Sequence, residues 1–375
     1  MRRKILACVG TVVIALAFGG STGVDAEGRL QIGCITPLTG DGATYGAATQ
    51  HGVNLALDEI NRRGINGSQV EVICEDDQMS PRVGSAAIEK LIDVNKVPVI
   101  LGAFGSSVTL AIAPIAQRRK VVLFSASSTA DALSNAGPYF FRNIPTNQKQ
   151  GDTAAHFVRT RLKARTATIF QINNDYGVSL GTAFKSAFES DGGRILSTES
   201  YNAGTTDFRA QLTKIRSQAP DVVFFPGQYQ ESGLILKQAR EIGVQATFVG
   251  GDGSYSPELV SIAGTAAEGS YYTLPAMGYG VADDKIERFS RAYRERYHAD
   301  PDVYSAYAYD AMLIIAEAIE KGGYTADGIK NALHAIRFDG VTGLTQFDQN
   351  GQVDKPFGVD QLKDGKFVIV RGGNS

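Results

Sequence analysis

The sequence predicts an α/β protein with two parallel sheets, each covered on both faces by helices. Short apolar runs alternate with longer amphipathic stretches along most of the chain, and this alternation predicts strands and helices in turn. The pattern begins a second time after "YFFRNIPTNQKQG", and 375 residues are enough for two domains. We therefore expect two doubly wound lobes with right-handed crossovers between their parallel strands.

The first set of strands and helices starts near Glu27. Its predicted strands are "RLQIGCITPL", "SQVEVICEDD", "PVILGAF" and "VVLFSAS". The predicted helices between them are "GAATQHGVNLALDEINRRG", "PRVGSAAIEKLIDVNKV" and "SSVTLAIAPIAQRRK". In the first of these helices the apolar residues recur at a mostly helical spacing, at Val53, Leu55, Leu57 and Ile60.

The second set follows the same plan with a different sequence. Its predicted strands are "TATIFQINNDYG", "RILSTESY", "DVVFFPGQYQ" and "TFVGGDGSY", each followed by a helical pattern. The segment from Asp283 to Ile336 is mainly helical in pattern, and the chain then forms two short strands in "GLTQFD" and "KFVIV".

The N-terminus has the pattern of a secretory signal peptide. The basic "MRRK" precedes the apolar "ILACVGTVVIALAF", which is short for a membrane span, and the small-residue "VDA" ends at Ala26. The sequence therefore predicts a signal peptide over residues 1–26 and a mature chain from near Glu27. Most of the apolar core follows Cys8, so lipidation of that cysteine is not expected.

Charge and motifs exclude several function classes. Without residues 1–26 the chain carries 34 basic and 38 acidic residues, a net charge of −4 with no basic cluster, which is unlike a nucleic-acid binder. No phosphate loop, HExxH or CxxC motif occurs, and the four histidines are scattered. "GGSTG" matches a nucleophile elbow but lies within the predicted signal peptide. We expect no cofactor, no metal and no enzymatic activity.

Two cysteines remain in the predicted mature chain. Cys34 and Cys74 each lie in a strand-like run of the first set. They could pair in an oxidising compartment. Because the geometry of a disulfide is demanding, we expect instead two buried thiols on neighbouring strands.

Hydroxyl, carboxylate and aromatic side chains follow several predicted strands. "VVLFSASSTADAL" places a row of hydroxyls directly after a buried strand, and Ser106 begins the helix after the preceding strand. In the second set, Tyr176, Tyr229 and Asp252 follow their strands in the same way. Ligands of open α/β sheets bind beyond the carboxyl ends of the strands, so the pattern predicts a small-molecule cleft between the two sets.

These stretches resemble those of a known family. "IGCITPLTGDGATYG", "GVNLALDEINRRGINGSQVEV", "GAFGSSVT", "SASSTADAL", "NDYG" and "GQYQESGLILKQAREIG" are similar to the leucine/isoleucine/valine-binding proteins. These are periplasmic substrate-binding proteins of branched-chain amino acid ABC transporters with the type I two-lobe fold. The resemblance covers nearly all of the mature chain and is more specific for the family than for the ligand.

The resemblance implies a three-strand hinge between the lobes, with crossings near Pro145, Pro275 and Phe357. The N-terminal lobe is then expected to comprise residues 27–145 and 276–356. The C-terminal lobe is expected to comprise residues 146–275 and 357–375. The late helices would return to the first lobe, and "FVIV" would join the second.

The resemblance also implies a role for each candidate site residue. Ser106, Ser127 and Thr129 would hold the α-carboxylate of an amino acid, with Ser128 in the same hydroxyl row. Asp252 would hold the α-ammonium at a position where the family often has the longer Glu, a departure that leaves the size of the ligand open. Wall and lid positions around the ligand would be occupied by three tyrosines, Tyr45, Tyr176 and Tyr229.

The implied function is that of a periplasmic, monomeric solute-binding component. It would capture a branched-chain or similar amino acid by hinge closure and deliver it to a membrane-embedded ABC permease, with no nucleic-acid partner. The alternative ligands are aliphatic amides, urea-like compounds or aromatic acids, which relatives of this family also bind. A secreted hydrolase is the alternative from another class, but no histidine follows a strand end to serve as its base.

Overall fold

The computed structural model describes residues 24–25, 27–277 and 283–370. Two lobes, each built on a mainly parallel sheet with helices, confirm the predicted fold class. The predicted signal peptide lies outside the described residues except for residues 24 and 25. Within the described ranges, no helix combines the length and apolar character that spanning a membrane would require.

The first lobe has a five-stranded sheet in which all neighbouring strands are parallel. Its strands are β1 (Leu30–Thr36), β2 (Val70–Asp76), β3 (Val99–Leu101), β4 (Val122–Ser125) and β5 (Phe140–Arg142), in the spatial order β2–β1–β3–β4–β5. The helices between them are α1 (Ala43–Arg63), α2 (Pro81–Asp93) and α3 (Ser106–Arg119). The short strands β3, β4 and β5 are buried on both faces, which explains their continuous apolar sequences.

The second lobe repeats this order and adds two antiparallel strands. After α4 (Asn147–Thr160) come five parallel strands: β6 (Thr166–Ile172), β7 (Arg194–Tyr201), β8 (Val222–Phe224), β9 (Thr247–Gly250) and β10 (Tyr271–Pro275). The helices between them are α5 (Asp175–Ser190), α6 (Arg209–Gln218), α7 (Tyr229–Glu241) and α8 (Pro257–Ala263). In space the order β7–β6–β8–β9–β10 corresponds to that of the first sheet.

The last part of the chain contributes to both lobes. Three helices and a hairpin come first: α9 (Asp284–Tyr297), α10 (Val303–Gly322), α11 (Ala326–Ala335), β11 (Arg337–Gly340) and β12 (Gly343–Gln346). They are followed by β13 (Phe357–Lys363) and β14 (Lys366–Ile369), which extend the second sheet beyond β10 in antiparallel pairing. The sequence patterns did not predict β5, β10, β11 and β13 as separate strands.

Among the three late helices, α10 makes the most extensive contact with the first lobe. It packs along α1, where Gly52 lets the two backbones approach, because a Cβ at this position would collide with the carbonyl of Ser305. Asp302 and Ser305 form a reciprocal capping box at its N-terminus. The chain thus passes between the lobes three times: between β5 and α4, after β10, and between β12 and β13. The residue boundaries of the two lobes given above stay a prediction.

The two cysteines form a disulfide, so the expectation of free thiols is wrong. Cys34 on β1 and Cys74 on β2 are on neighbouring strands, as expected, and the register of the parallel pair places them directly opposite each other. Sequence spacing does not reveal strand register, and for this reason the sequence alone left the pairing undecided. The bond closes a loop across a sequence separation of 40 residues.

Loss of this disulfide is expected to lower the free energy of unfolding by about 2–4 kcal/mol, because the cross-link restricts the unfolded chain. We expect this loss in the double variant Cys34→Ala/Cys74→Ala and in the parent protein under reducing conditions, measured by urea denaturation. Reductant should have no further effect on the double variant. Equal stability of the parent with and without reductant would contradict the prediction.

Candidate functional site

The carboxyl ends of the two parallel sheets face each other across a cleft. In each lobe the first strand of the set, β1 or β6, lies between the second and the third, so the connections after it run in opposite directions and leave a crevice. A cavity of about 820 Å³ occupies the space between the lobes. Five of the eight predicted site residues line it: Tyr45, Ser106, Ser127, Tyr176 and Asp252.

The other three predicted residues adjoin the cleft without lining the cavity. Ser128 and Thr129 are fully buried on the same turn as Ser127. Tyr229 begins α7 in the second lobe, and its hydroxyl donates to the carbonyl of Asp41 and the Oγ1 of Thr44 in the first lobe, each at 3.2 Å. Their roles toward a ligand stay predictions.

Some hydroxyl groups of the row after β4 form hydrogen bonds with the protein's own backbone. The Ser128 hydroxyl is held by the carbonyls of Ala103 (3.1 Å) and Phe104 (3.0 Å), and the Ser127 hydroxyl donates to Phe104 (3.0 Å). Ser106 Oγ accepts the backbone N–H of Ala130 at 3.2 Å. These bonds fix the turn in one conformation at the N-terminus of α3.

Thr129 differs from its neighbours on this turn. Its Oγ1 is buried and has no hydrogen-bond partner, and its backbone N–H meets no acceptor among the described residues. A buried polar group without a partner is unfavourable, and a bound acceptor would remove that penalty. Thr129 therefore offers one free donor and one free hydroxyl next to the cavity.

Asp252 is the buried carboxylate of the second lobe, with 3% of its surface exposed. Its Oδ1 accepts the hydroxyl of Tyr176 at 2.7 Å and the Nε2 of Gln150 at 3.0 Å. Burial raises the pKa of Asp252 above its usual value, and these two hydrogen bonds oppose the rise. No cation of the described chain lies within 4.0 Å of this carboxylate.

Aromatic rings form an apolar wall between the hydroxyl turn and Asp252. Tyr45 stacks on Phe104 with ring centroids 4.5 Å apart, and the edge of Tyr304 meets Phe104 at 5.0 Å. The Tyr304 hydroxyl donates to the backbone carbonyl of Asp252 at 2.6 Å. This wall suits an apolar side chain, because it presents ring surface rather than hydrogen-bonding groups.

Three residues of the site were missed in the sequence. Phe104 lies in "GAFGSS", so its position at a strand end could have been noticed. Gln150 and Tyr304 could not, because each lies on a helix whose place beside the cleft is set by the chain crossings.

Hydrogen bonds join the lobes across the cleft, so the structure shows a closed arrangement. Ser107 Oγ donates to Asp175 Oδ2 at 2.6 Å, and Ser179 Oγ donates to Asp131 Oδ2 at 2.8 Å. The Tyr45 hydroxyl donates to the carbonyl of Gly253 in the opposite lobe. Each bond connects a residue after β1, β3 or β4 with a residue of the second lobe.

The charges lining the cavity are all negative. Asp41, Asp175 and Asp252 line it, and its described lining contains no lysine or arginine. Such a cleft attracts a cationic group and requires neutral donors for any anionic group. In the described part of the chain, no group of three or more His, Cys, Asp or Glu side chains is placed to hold a metal ion.

The chain matches the family model described as periplasmic binding protein over residues 29–366. The leucine-, isoleucine-, valine-, threonine- and alanine-binding protein of Pseudomonas aeruginosa is 31% identical over 331 residues, which are 88% of each chain. The chain therefore belongs to the periplasmic binding protein family. Within this family it is of the branched-chain amino acid ABC transporter type.

Solved structures support the same family. The leucine-binding protein LivK of Thermotoga maritima is 30% identical with a TM-score of 0.88, over 91% of this chain and 98% of that chain. LivJ of Streptococcus pneumoniae, solved with isoleucine, is 32% identical with a TM-score of 0.85, over 91% and 99%. A solute-binding protein of R. palustris solved with benzoate has a TM-score of 0.84 at 20% identity, which shows the shared fold alone.

We predict that Asp252→Asn stabilises the ligand-free protein at pH 7.5 by about 1–3 kcal/mol, because it removes a buried charge that has no counter-ion. The pKa of Asp252 is higher in the folded state than in the unfolded chain. The parent therefore loses stability as the pH rises from the ordinary carboxyl pKa through the raised pKa of the folded state. The advantage of the variant should therefore shrink toward pH 4, where the carboxyl is increasingly protonated in both states. Urea denaturation at both pH values measures the difference. A less stable variant at pH 7.5 would contradict the prediction.

Proposed function

We propose that the protein captures a branched-chain or similar amino acid in the interlobe cleft and delivers it to a membrane-embedded ABC permease. The observation that carries this proposal is the buried carboxylate of Asp252, which has hydrogen-bond donors but no cation partner among the described residues. An α-ammonium would supply the missing positive charge. The Pseudomonas and Streptococcus relatives, whose names and bound ligand are amino acids, agree with this assignment.

The two ends of an amino acid would be held by different lobes. The carboxylate would accept hydrogen bonds from Ser106 and from the free N–H and hydroxyl of Thr129 in the first lobe. Ser127 would join them by turning its hydroxyl from the Phe104 carbonyl to the ligand. The ammonium would meet Asp252 in the second. Because these groups converge only when the cleft is closed, the ligand would bind the closed form more tightly and shift the population toward it. Hinge closure of periplasmic binding proteins is a well-known general case.

The wall of Tyr45, Phe104 and Tyr304 would receive the apolar side chain. An aromatic acid could also pack on these rings, and this makes it the second candidate ligand. The charge of Asp252 opposes that candidate, because an aromatic acid brings no cation to a cleft whose lining is negative.

We also propose where the protein works and in which assembly state. The signal peptide predicted over residues 1–26 would direct the chain to the periplasm, where this family works. The protein would act as a monomer and without enzymatic activity. The lobe that carries the hydroxyl turn would comprise residues 27–145 and 276–356, and the lobe that carries Asp252 residues 146–275 and 357–375.

A thermal-shift panel tests the ligand class directly. The mature protein is heated with branched-chain and other amino acids, aliphatic amides or aromatic acids, and a tight ligand raises the melting temperature by mass action. We expect leucine, isoleucine or valine to give the largest shift and Asp252→Asn to lose it. Removing one partner of a buried ion pair costs about 3–5 kcal/mol, or two to four decades in affinity.

The control for this variant is Asp360→Asn. Asp360 is a buried carboxylate of β13, and burial raises its pKa to about 6, but it does not line the cavity. Its variant should bind amino acids as the parent does. If Asp252→Asn also binds leucine-like amino acids unchanged, the amino-acid assignment is wrong and the panel identifies which other class replaces it.

Thr129→Val should weaken binding of the best ligand by about 1–3 kcal/mol, because it keeps the shape and removes the free hydroxyl. The matched control is Thr345→Val on β12, which removes another buried hydroxyl without a hydrogen-bond partner. We expect calorimetry to show weaker binding for the first variant only. Unchanged affinity of Thr129→Val would remove this hydroxyl from the proposed site.

A further inference from the structure

Arg142, the last residue of β5, is a buried cation without an anionic partner. The residue is fully buried in the first lobe, and no carboxylate of the described chain lies within 4.0 Å of its guanidinium. Asp131 and Asp348 are the acidic groups that act on it, from a longer distance. Burial lowers the pKa of Arg142 to about 10, so the side chain is still positively charged at neutral pH.

Its hydrogen bonds all go to neutral acceptors. The guanidinium donates to the backbone carbonyls of Ser128 (3.1 Å) and Ala130 (2.9 Å) on the hydroxyl turn. It also donates to Ser134 Oγ (2.9 Å) and to Gln352 Oε1 (2.5 Å), which lies on the segment before β13. These contacts satisfy four of its five N–H groups but place no anion beside its charge, and a desolvated charge without a close counter-ion is strongly unfavourable.

The geometry of the turn shows where a compensating anion would bind. In a trans peptide the C=O and N–H groups point to opposite sides. The carbonyl of Ser128 faces Arg142, so the N–H of Thr129, which has no acceptor, points to the other side. The next such peptide confirms the direction: the carbonyl of Ala130 faces Arg142, while the N–H of Asp131 reaches Ser179 of the second lobe at 3.2 Å. The far side of the turn is therefore the side that faces the cleft.

We propose that Arg142 is a positioning residue whose buried charge compensates the carboxylate of a ligand on the cleft side of the 128–130 turn. The proposal rests on the proposed function in so far as the ligand carries a carboxylate. The ligand would not touch the guanidinium, because the peptide groups of the turn separate the two. Those peptide dipoles, aligned by the cation, would present their N–H ends to the anion.

Two variants of Arg142 separate charge from shape. Affinities are measured by calorimetry for leucine and for leucinamide, which lacks the carboxylate. In Arg142→Gln we expect the preference for leucine to fall on the order of tenfold, the effect of one charge acting through a partly buried site. Arg142→Lys retains the charge and should keep the preference. Equal weakening of both ligands in Arg142→Gln would show that Arg142 only holds the turn, and would overturn the proposal.

A second pair of variants leaves Arg142 in place. It tests the effect of the Arg142 charge on ligand binding even if Arg142→Gln does not fold. Ser134 lies in the short 3₁₀ turn Asp131–Asn135 and is partly exposed, with its Oγ on the guanidinium. Ser134→Asp adds an anion beside Arg142, whereas Ser134→Asn adds the same bulk without charge. We expect leucine to bind Ser134→Asp about tenfold more weakly than Ser134→Asn, from Coulomb attraction lost to the new anion. Equal affinities in the two variants would refute the charge effect.

A parallel series with benzoate and benzamide distinguishes the two proposals. If the parent binds benzoate and no amino acid, the amino-acid assignment fails, and the same variants test Arg142 with benzoate in place of leucine. If the parent binds neutral amides in preference to any carboxylate, both proposals are wrong.

Discussion

The closed cleft buries the carboxylate of Asp252 with two hydrogen-bond donors and no cation within 4.0 Å among the described residues. Burial of an uncompensated charge is unfavourable, so this arrangement is a stability cost that a ligand can relieve. The same reasoning applies to the unpartnered hydroxyl and N–H of Thr129 on the opposite lobe. In the proposed function, the groups that the protein leaves unsatisfied define the charges and the length of what it binds.

The fold makes this arrangement possible because both lobes use the same strand order. In each sheet the crevice opens beside the first strand of the set, and the two crevices face each other. The residues that follow the strands are therefore brought together from sequence positions far apart, such as Ser106 and Asp252. Hydrogen bonds such as Ser107 to Asp175 join the two lobes in the closed form, and a ligand that binds this form more tightly would add to its stability.

The two lobes differ in whether they present charged or neutral groups to the cleft. The second lobe presents a charged group directly to the cleft, at Asp252. The first lobe presents backbone and hydroxyl groups, and the buried cation Arg142 lies behind them. A neutral inner surface is less strongly hydrated than an exposed guanidinium, so closing the cleft would displace water from it more easily. Arg142 also bonds Gln352 before the last crossing, which ties the turn to the connection between lobes.

The sequence by itself determined the fold class, the family resemblance and the strand-end positions of Ser106, Ser127, Tyr176 and Asp252, because periodicity and strand-end chemistry are local properties of the chain. Tyr45 was indicated by the resemblance alone. It did not determine the pairing of Cys34 with Cys74, which depends on the register between two strands. It also could not place Gln150, Tyr304 or Arg142. Gln150 and Tyr304 reach the site because helices from distant segments pack beside it, and Arg142 is significant only because tertiary packing removes its water and brings no carboxylate.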